Sequence, residues 1–198
     1  QESRGLGDVY KRQVLDVEYD YRQKATIQTF IHVGIAYPLG SIPFDSYKLS
    51  ISFFLAELTA YATRDEQTNA PLFNYIVSSI EWLDSCGTTF SNFHLVYIVH
   101  LLRFLGFYPN LEAYEEGCYF DMRSGCYSCT MPTHRDFLAP SDANLVATFS
   151  RMDYANMHLF KMSHADRNRF CEIVLTYYRL HIPKFPELKS LKVLRELY

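Results

Sequence analysis

This sequence of 198 residues has few cysteines and none of the features of an exported, disulfide-bonded protein. It contains five cysteines, an odd number, at irregular spacings. No charged segment followed by an apolar signal region precedes them. Disulfide frameworks belong to oxidising compartments, so this pattern favours a reducing one, and we expect a cytoplasmic protein.

Long hydrophobic runs are also missing. The most apolar stretch, 93–107, is interrupted by His94, His100 and Arg103, and it is too short and too polar to cross a membrane. Hydrophobic residues nevertheless make up 48% of the chain and aromatic residues 16%, which is typical of a globular protein. We therefore expect a soluble protein that does not contact membranes.

Motifs that mark enzymes are missing as well. The eight glycines form no phosphate-binding loop, and the seven histidines include no HExxH pair. His94 and His100 lie in the apolar stretch, where a hydrogen-bonded core histidine is more common than a catalytic base. The sequence predicts no enzymatic activity and no cofactor.

Charge is scarce overall but unevenly distributed. The net charge is −3, which by itself argues against a nucleic-acid-binding protein. Residues 151–198, however, contain nine Lys and Arg against five Asp and Glu, whereas residues 14–150 contain seven against fifteen. The basic C-terminal quarter is therefore either a surface for phosphates or acidic peptides, or a solvated helix face. The candidate binding residues in this quarter are Arg151, Arg167, Arg169, Arg179 and Lys184.

The N-terminal region predicts a β-hairpin. Residues 1–13 include DVYKRQ, which matches one reading frame of an adapter used in sequencing libraries, so we interpret them as an artefact. Apolar and polar residues then alternate over 14–23 and 25–35, which predicts two antiparallel strands. Arg22 and Lys24 lie near Tyr19 and Tyr21, a combination that suits base stacking and phosphate binding, or ordinary cross-strand packing.

The rest of the chain shows helical periodicity. A linker over 37–45 precedes the helices, and an irregular segment follows at about 110–140. The apolar spacing predicts a mainly α fold, α+β overall, in which a helical bundle follows a two-strand element. Predicted helices cover 45–63, 70–86, 93–105 (central), 141–152, a short one through 156–160, 163–181 and 189–197.

One pair of cysteines has the spacing of a metal site. Cys126 and Cys129 form a C-x-x-C pair, with Cys118 before it and His134 after it. A structural zinc site needs four ligands, normally as two close pairs, and the sequence offers one such pair. Free, partly buried thiols are favoured, and a metal-dependent enzyme built on these four residues is the weaker alternative.

The long segments NFHLVYIVHLLRFLGFYPNLEAYEEGCYFDMRSG and MDYANMHLFKMSHADRNRFCEIVLTYYRLHIPKFPELKSLKVL resemble the C-terminal helical domain of the RecO family of bacterial DNA repair proteins. The resemblance extends back through SIPFDSYKLSISFFLAEL to VEYDYRQ. It implies an N-terminal OB-fold domain followed by a helical domain. Residues 14–37 would be the last strands of that OB-fold, its earlier strands missing, and residues 38–198 the helical domain with its insert.

The resemblance also implies a function. RecO proteins act without ATP in the RecF pathway. They bind single- and double-stranded DNA, anneal complementary strands, contact the acidic C-terminal tail of the single-stranded DNA-binding protein SSB, and work with RecR. The basic C-terminal quarter suits either the tail or DNA phosphates, which the sequence does not separate. The alternative is a helical module that binds acidic peptides without DNA.

The insert departs from the pattern of many family members, which carry two zinc-binding C-x-x-C pairs. The first pair falls at PNLEAY, and in the second only Cys129 keeps a ligand position while Pro132 replaces its partner. The resemblance therefore argues against zinc. Packing of Tyr119, Phe120 and Tyr127 is expected to hold the insert instead.

Overall fold

The computed structural model describes residues 13–149 and 151–197, so residues 1–12 of the segment interpreted as an artefact lie outside it. The described residues form six α-helices and two small sheets, which confirms the predicted predominance of helices. The elements in chain order are β1 (Val14–Asp20), β2 (Thr29–Tyr37), α1 (Ser46–Ala62), α2 (Ala70–Ser85), α3 (Phe93–Phe104), β3 (Tyr119–Asp121), β4 (Cys126–Ser128), β5 (Phe137–Leu138), α4 (Pro140–Phe149), α5 (His164–His181) and α6 (Ser190–Leu197).

Strands β1 and β2 form the predicted antiparallel hairpin, although the connection between them is longer than the short link expected near residue 24. A register shift between Glu18 and Tyr19 leaves Ile31 without a partner across the strands, which interrupts the alternation predicted for 25–35. The hairpin's apolar side chains are largely exposed, as in Tyr21 at 69% and Ile31 at 65%. In the described residues no other strand pairs with the hairpin, so its origin in an OB-fold stays a prediction.

A set of polar contacts fixes the linker after β2 to the helical body. The Asp84 carboxylate accepts hydrogen bonds from the backbone N–H groups of Gly40, Ser41 and Ile42, each at 2.8 Å. Lys48 Nζ is buried and donates to Ser41 Oγ at 2.7 Å and to the backbone oxygen of Asp84 at 3.2 Å. We call these five residues the linker latch, because they join the hairpin's exit to both α1 and α2.

The first two helices begin at side chains that satisfy their free backbone N–H groups. Asp45 Oδ1 accepts from Tyr47 and Lys48, and Asn69 Oδ1 accepts from Leu72. Both starts agree with the predicted ones to within one residue.

Helix α3 is the central element, as predicted. Nine of its twelve residues are buried, and α1, α2 and α5 pack around it. None of the helices in residues 13–149 and 151–197 is long and apolar enough to span a membrane.

The segment predicted to be irregular contains a small sheet in which β3 lies between β4 and β5. Phe120 is 2% exposed, and its ring meets that of Tyr127 at 5.1 Å between centroids. Tyr119 packs against Phe137 at 5.7 Å. The predicted aromatic packing is therefore confirmed, whereas the strands were missed because runs of two or three residues are too short to show alternation.

Helices α5 and α6 are anchored at their first turns. Ser163 Oγ accepts from the Asp166 N–H at 3.1 Å, and Asp166 Oδ2 accepts from the Ser163 N–H at 3.3 Å, which forms a capping box at the predicted start of α5. The Glu57 carboxylate of α1 accepts from the N–H groups of Lys189 and Ser190, so α6 begins on the surface of α1.

Candidate nucleic-acid and peptide interface

The predicted basic residues do not lie on one surface. Arg22 and Lys24 belong to the hairpin connection, Arg151 follows α4, and Lys184 lies in the turn after α5. The three arginines of α5 also diverge. A helix turns by about 100° per residue, so Arg167 and Arg169 are about 200° apart around its axis.

Two arginines of α5 are already paired with carboxylates. Arg169 forms an ion pair with Asp142 of α4, and the hydrogen bond and charge of Asp142 raise the pKa of Arg169. Arg179 Nη1 lies 4.0 Å from Glu172, which also binds Arg195. These pairs reduce the positive potential that the sequence count attributes to this helix.

Arg167 instead lies in a pocket with a second cation, Lys161. The pocket forms where the chain entering α3 meets the segment before α5, and the side chains of Thr88, Ser91 and Asn92 line its other wall. Arg167 Nη1 donates to the Met162 carbonyl at 2.8 Å, which fixes the guanidinium in place. We call the side chains of Thr88, Ser91, Asn92, Lys161 and Arg167 the polar pocket. Two cations and the positive end of the α3 dipole suit a phosphate or a carboxylate.

Asn92 of the polar pocket and the nearby His94 are buried polar residues. Asn92 is 5% exposed, and its amide donates to the carbonyls of Met157 at 3.1 Å and Phe160 at 2.9 Å. Burial and the charge of Arg167 lower the pKa of His94 to about 3. His94 is therefore a neutral core residue, as predicted, and the charge of Arg167 acts on the interior as well as on the pocket.

The hairpin provides a surface of a different kind. Tyr19, Tyr21 and Phe30 are 49%, 69% and 61% exposed. Tyr19 and Phe30 are opposite each other across the strands, and Arg22 and Lys24 follow in the connection. We call these five residues the hairpin surface. Exposed rings next to cations are suited to stacking bases and binding phosphates. Arg22 is itself paired with Asp20 at 3.0 Å, which reduces its contribution to the positive potential.

A further surface, which the sequence analysis missed, is an apolar groove between α1 and α6. Phe53 and Val193 are 38% and 51% exposed, and Ala60 lines the groove with them. Arg64 and Lys189 border the groove at its edges. In the sequence, one feature could have indicated this groove: Phe53 and Val193 are apolar residues that lie outside the buried faces of their helices. We call these five residues the apolar groove, and they suit an apolar peptide end that carries a carboxylate.

Two of the four predicted metal ligands are brought together. The Sγ atoms of Cys118 and Cys129 are 3.4 Å apart, and Glu115 Oε2 lies 3.9 Å from Cys129 Sγ. Cys118 is buried and Cys129 is exposed. The Cys118 thiol and the Glu115 carboxylate raise the pKa of the Cys129 thiol.

The other two predicted ligands lie elsewhere. Cys126 Sγ is directed at a backbone carbonyl within its own turn. Both ring nitrogens of His134 are engaged, Nε2 with Asp121 at 3.2 Å and Nδ1 with the Asp136 N–H at 3.2 Å. Among the described residues the potential ligand group contains Glu115 in place of Cys126 and His134. The predicted set of four therefore does not fit a four-ligand zinc site.

Comparison with known proteins identifies the family. The family model for the C-terminal domain of recombination protein O matches residues 43–192. Proteins named DNA repair protein RecO from Phocaeicola vulgatus and Bacteroides fragilis are 48% identical over 185 residues and 44% identical over 186. Each alignment covers 93% of this chain and 77% of the relative. No solved structure matches. This chain therefore belongs to the RecO family of DNA repair proteins.

Proposed function

We propose that this chain is a non-enzymatic recombination mediator that binds single- and double-stranded DNA and anneals complementary strands. The observation that carries the proposal is its similarity, over 93% of its length, to proteins named DNA repair protein RecO. The hairpin surface and the polar pocket add physical support. Holding and pairing strands requires cations and stacking platforms, and these two surfaces supply both.

The proposal extends to domains and partners. Residues 14–37 would be the end of an OB-fold domain, and residues 38–198 the helical domain. The largely exposed apolar side chains of the hairpin support a covering segment. The proposed partners are RecR and the C-terminal tail of SSB, and the apolar groove is the described surface best suited to the tail.

Replacing Lys161 with glutamine tests the polar pocket. We expect the dissociation constant for a single-stranded oligonucleotide to rise about three- to ten-fold, because one phosphate contact is lost. The slope of log K against log salt should fall by about one. Fluorescence anisotropy of a labelled oligonucleotide across a salt series measures both.

The matched control for this variant is Lys192→Gln, which removes the same charge from an exposed position of α6. It should leave both quantities nearly unchanged. Equal losses in the two variants would mean that only the net charge matters and that the polar pocket holds no phosphate.

The variant Tyr21→Ala tests the hairpin surface. The ring is 69% exposed, so its removal should leave folding intact. If a base stacks on it, binding weakens by about 1 kcal/mol or more, and strand annealing slows in parallel. Ile27→Ala is the control, since Ile27 is 85% exposed and has no ring. Similar losses in both variants would indicate general apolar contact without base stacking.

The apolar groove favours a second candidate function, a module that binds acidic peptides and not DNA. The same anisotropy measurement separates the two. A labelled acidic peptide with an apolar C-terminal end should bind under either proposal. Binding of the peptide, together with no DNA affinity at low salt and no strand annealing, would support the second candidate alone.

A further inference from the structure

Cys118 and Cys129 are opposite each other at the open end of the insert hairpin. In the antiparallel pairing of β3 and β4, Tyr119 lies opposite Ser128. Continuing that register by one residue places Cys118 opposite Cys129. Directly opposed side chains on antiparallel strands have close Cβ atoms, and the measured separation of the two Sγ atoms is 3.4 Å.

Little movement separates this arrangement from a covalent bond. The Sγ atoms must approach by a little over 1 Å to reach the length of a disulfide, which is about 2.05 Å. Gly117, immediately before Cys118, has a φ of +86°, and a Cβ added to it would meet no atom within 4 Å. There is therefore open space beside the residue that precedes Cys118.

The two thiols differ in their access to solvent. Cys129 is exposed, whereas Cys118 is 4% exposed beneath it. An external reagent meets Cys129 first, and the Cys118 thiol lies in position to attack whatever forms there. An accessible sulfur with a second sulfur beside it suits thiol–disulfide exchange, whose rate depends on access to the attacking thiol.

We propose that Cys118 and Cys129 are a reversible dithiol–disulfide pair that closes the open end of the hairpin formed by β3 and β4. The oxidant is a small-molecule disulfide such as glutathione disulfide. The Cys129 thiolate attacks one of its sulfurs, forming a mixed disulfide and releasing one glutathione thiol. Cys118 then loses its proton and attacks Cys129 Sγ, which releases the second glutathione. Two protein thiols are oxidised, and one glutathione disulfide is reduced to two thiols.

Incubation of the whole chain in glutathione redox buffers, followed by alkylation and tryptic mass spectrometry, tests the pair. Arg123 lies between Cys118 and Cys126, so trypsin places Cys118 on one peptide and both Cys126 and Cys129 on another. We expect a bond between the two peptides that breaks on reduction. Alkylation of Cys129 should also slow at least ten-fold in the oxidised chain.

Variants identify the attacking group. In Cys118→Ser, Cys129 should stop at the mixed disulfide and carry one glutathione. The control Cys126→Ser removes a thiol from the same hairpin and should form the bond as the unaltered chain does. A bond within one peptide, between Cys126 and Cys129, would overturn the proposal. So would stoichiometric zinc in the purified chain that is lost in both Cys118→Ser and Cys129→Ser.

Discussion

Replacing Asp84 with alanine is expected to lower the free energy of unfolding by about 3 kcal/mol, because the linker latch loses its acceptor. The carboxylate accepts from three backbone N–H groups at 2.8 Å. In the variant, the backbone N–H group of Ile42, a residue that is 1% exposed, would have no hydrogen-bond partner. The N–H group of Gly40 is in an exposed residue and could bind water instead. Urea unfolding followed by the emission of Trp82, the chain's single tryptophan, measures the loss.

One comparison ties this loss to the latch. Asp65→Ala removes an exposed carboxylate from the turn after α1 and should change the free energy of unfolding by no more than about 0.5 kcal/mol. Equal losses at the two positions would mean that the contacts of Asp84 do not matter for stability.

The charge of Asp84 also gives the latch a pH dependence. Burial alone would raise the pKa of Asp84, but the N–H groups of Ile42, Gly40 and Ser41 outweigh it and lower the pKa. A lowered pKa stabilises the fold above the unfolded value of about 4, and this stabilisation is lost as the pH falls through the folded value. The stability gap between the unaltered chain and Asp84→Asn should thus be full at pH 7, begin to narrow near pH 4, and close as the pH falls through the lowered pKa of the folded chain. A gap that persists in acid would contradict this account.

Gly125→Ala is expected to destabilise the chain by about 3 kcal/mol. The residue has a φ of +67°, a region that costs any side chain about 1 kcal/mol. Its added Cβ would also lie 2.6 Å from the Tyr177 hydroxyl. The Gly125 N–H donates to the Asp121 carbonyl, and the Gly125 carbonyl accepts from the Asn110 N–H. Both hydrogen bonds hinder the backbone from moving away from Tyr177. The same urea titration reports the effect.

Gly106→Ala is the matched control, because Gly106 has a φ of +79° and its Cβ would meet no atom within 4 Å. It should cost about 1 kcal/mol, the conformational part alone. Adding Tyr177→Phe to Gly125→Ala removes the clashing oxygen and should restore part of the lost free energy of unfolding. The effects of the two substitutions would then not be additive, as is usual for residues in contact. If Gly125→Ala and Gly106→Ala lower the free energy of unfolding equally, the added Cβ at residue 125 does not clash with Tyr177.

Elements whose signals are local were predictable from the sequence. The start of α5 follows from Ser163 and Asp166, and the burial of α3 follows from apolar residues around its whole circumference. The small sheet of the insert was not predictable in this way. Its strands are held by contacts with distant residues, such as the Tyr127 hydroxyl on the Ala143 carbonyl.

The candidate site was less predictable for the same reason. Counting charges shows that the C-terminal quarter is basic, but it cannot show that Arg169 is paired with a carboxylate 27 residues away along the chain. Nothing in the sequence groups Lys161 with Ser91, although both line the polar pocket. Both facts depend on which segments of the chain become neighbours, and tertiary packing decides that.

The contact between Gly125 and Tyr177 has a consequence for how this family's sequences vary. The space that a side chain at 125 would need is occupied by the Tyr177 hydroxyl, which donates to the Phe107 carbonyl at 3.1 Å. The two positions are therefore expected to covary. A relative that carries alanine or a larger residue at the position of Gly125 should carry a residue without that hydroxyl at the position of Tyr177, and the two changes should be inherited together.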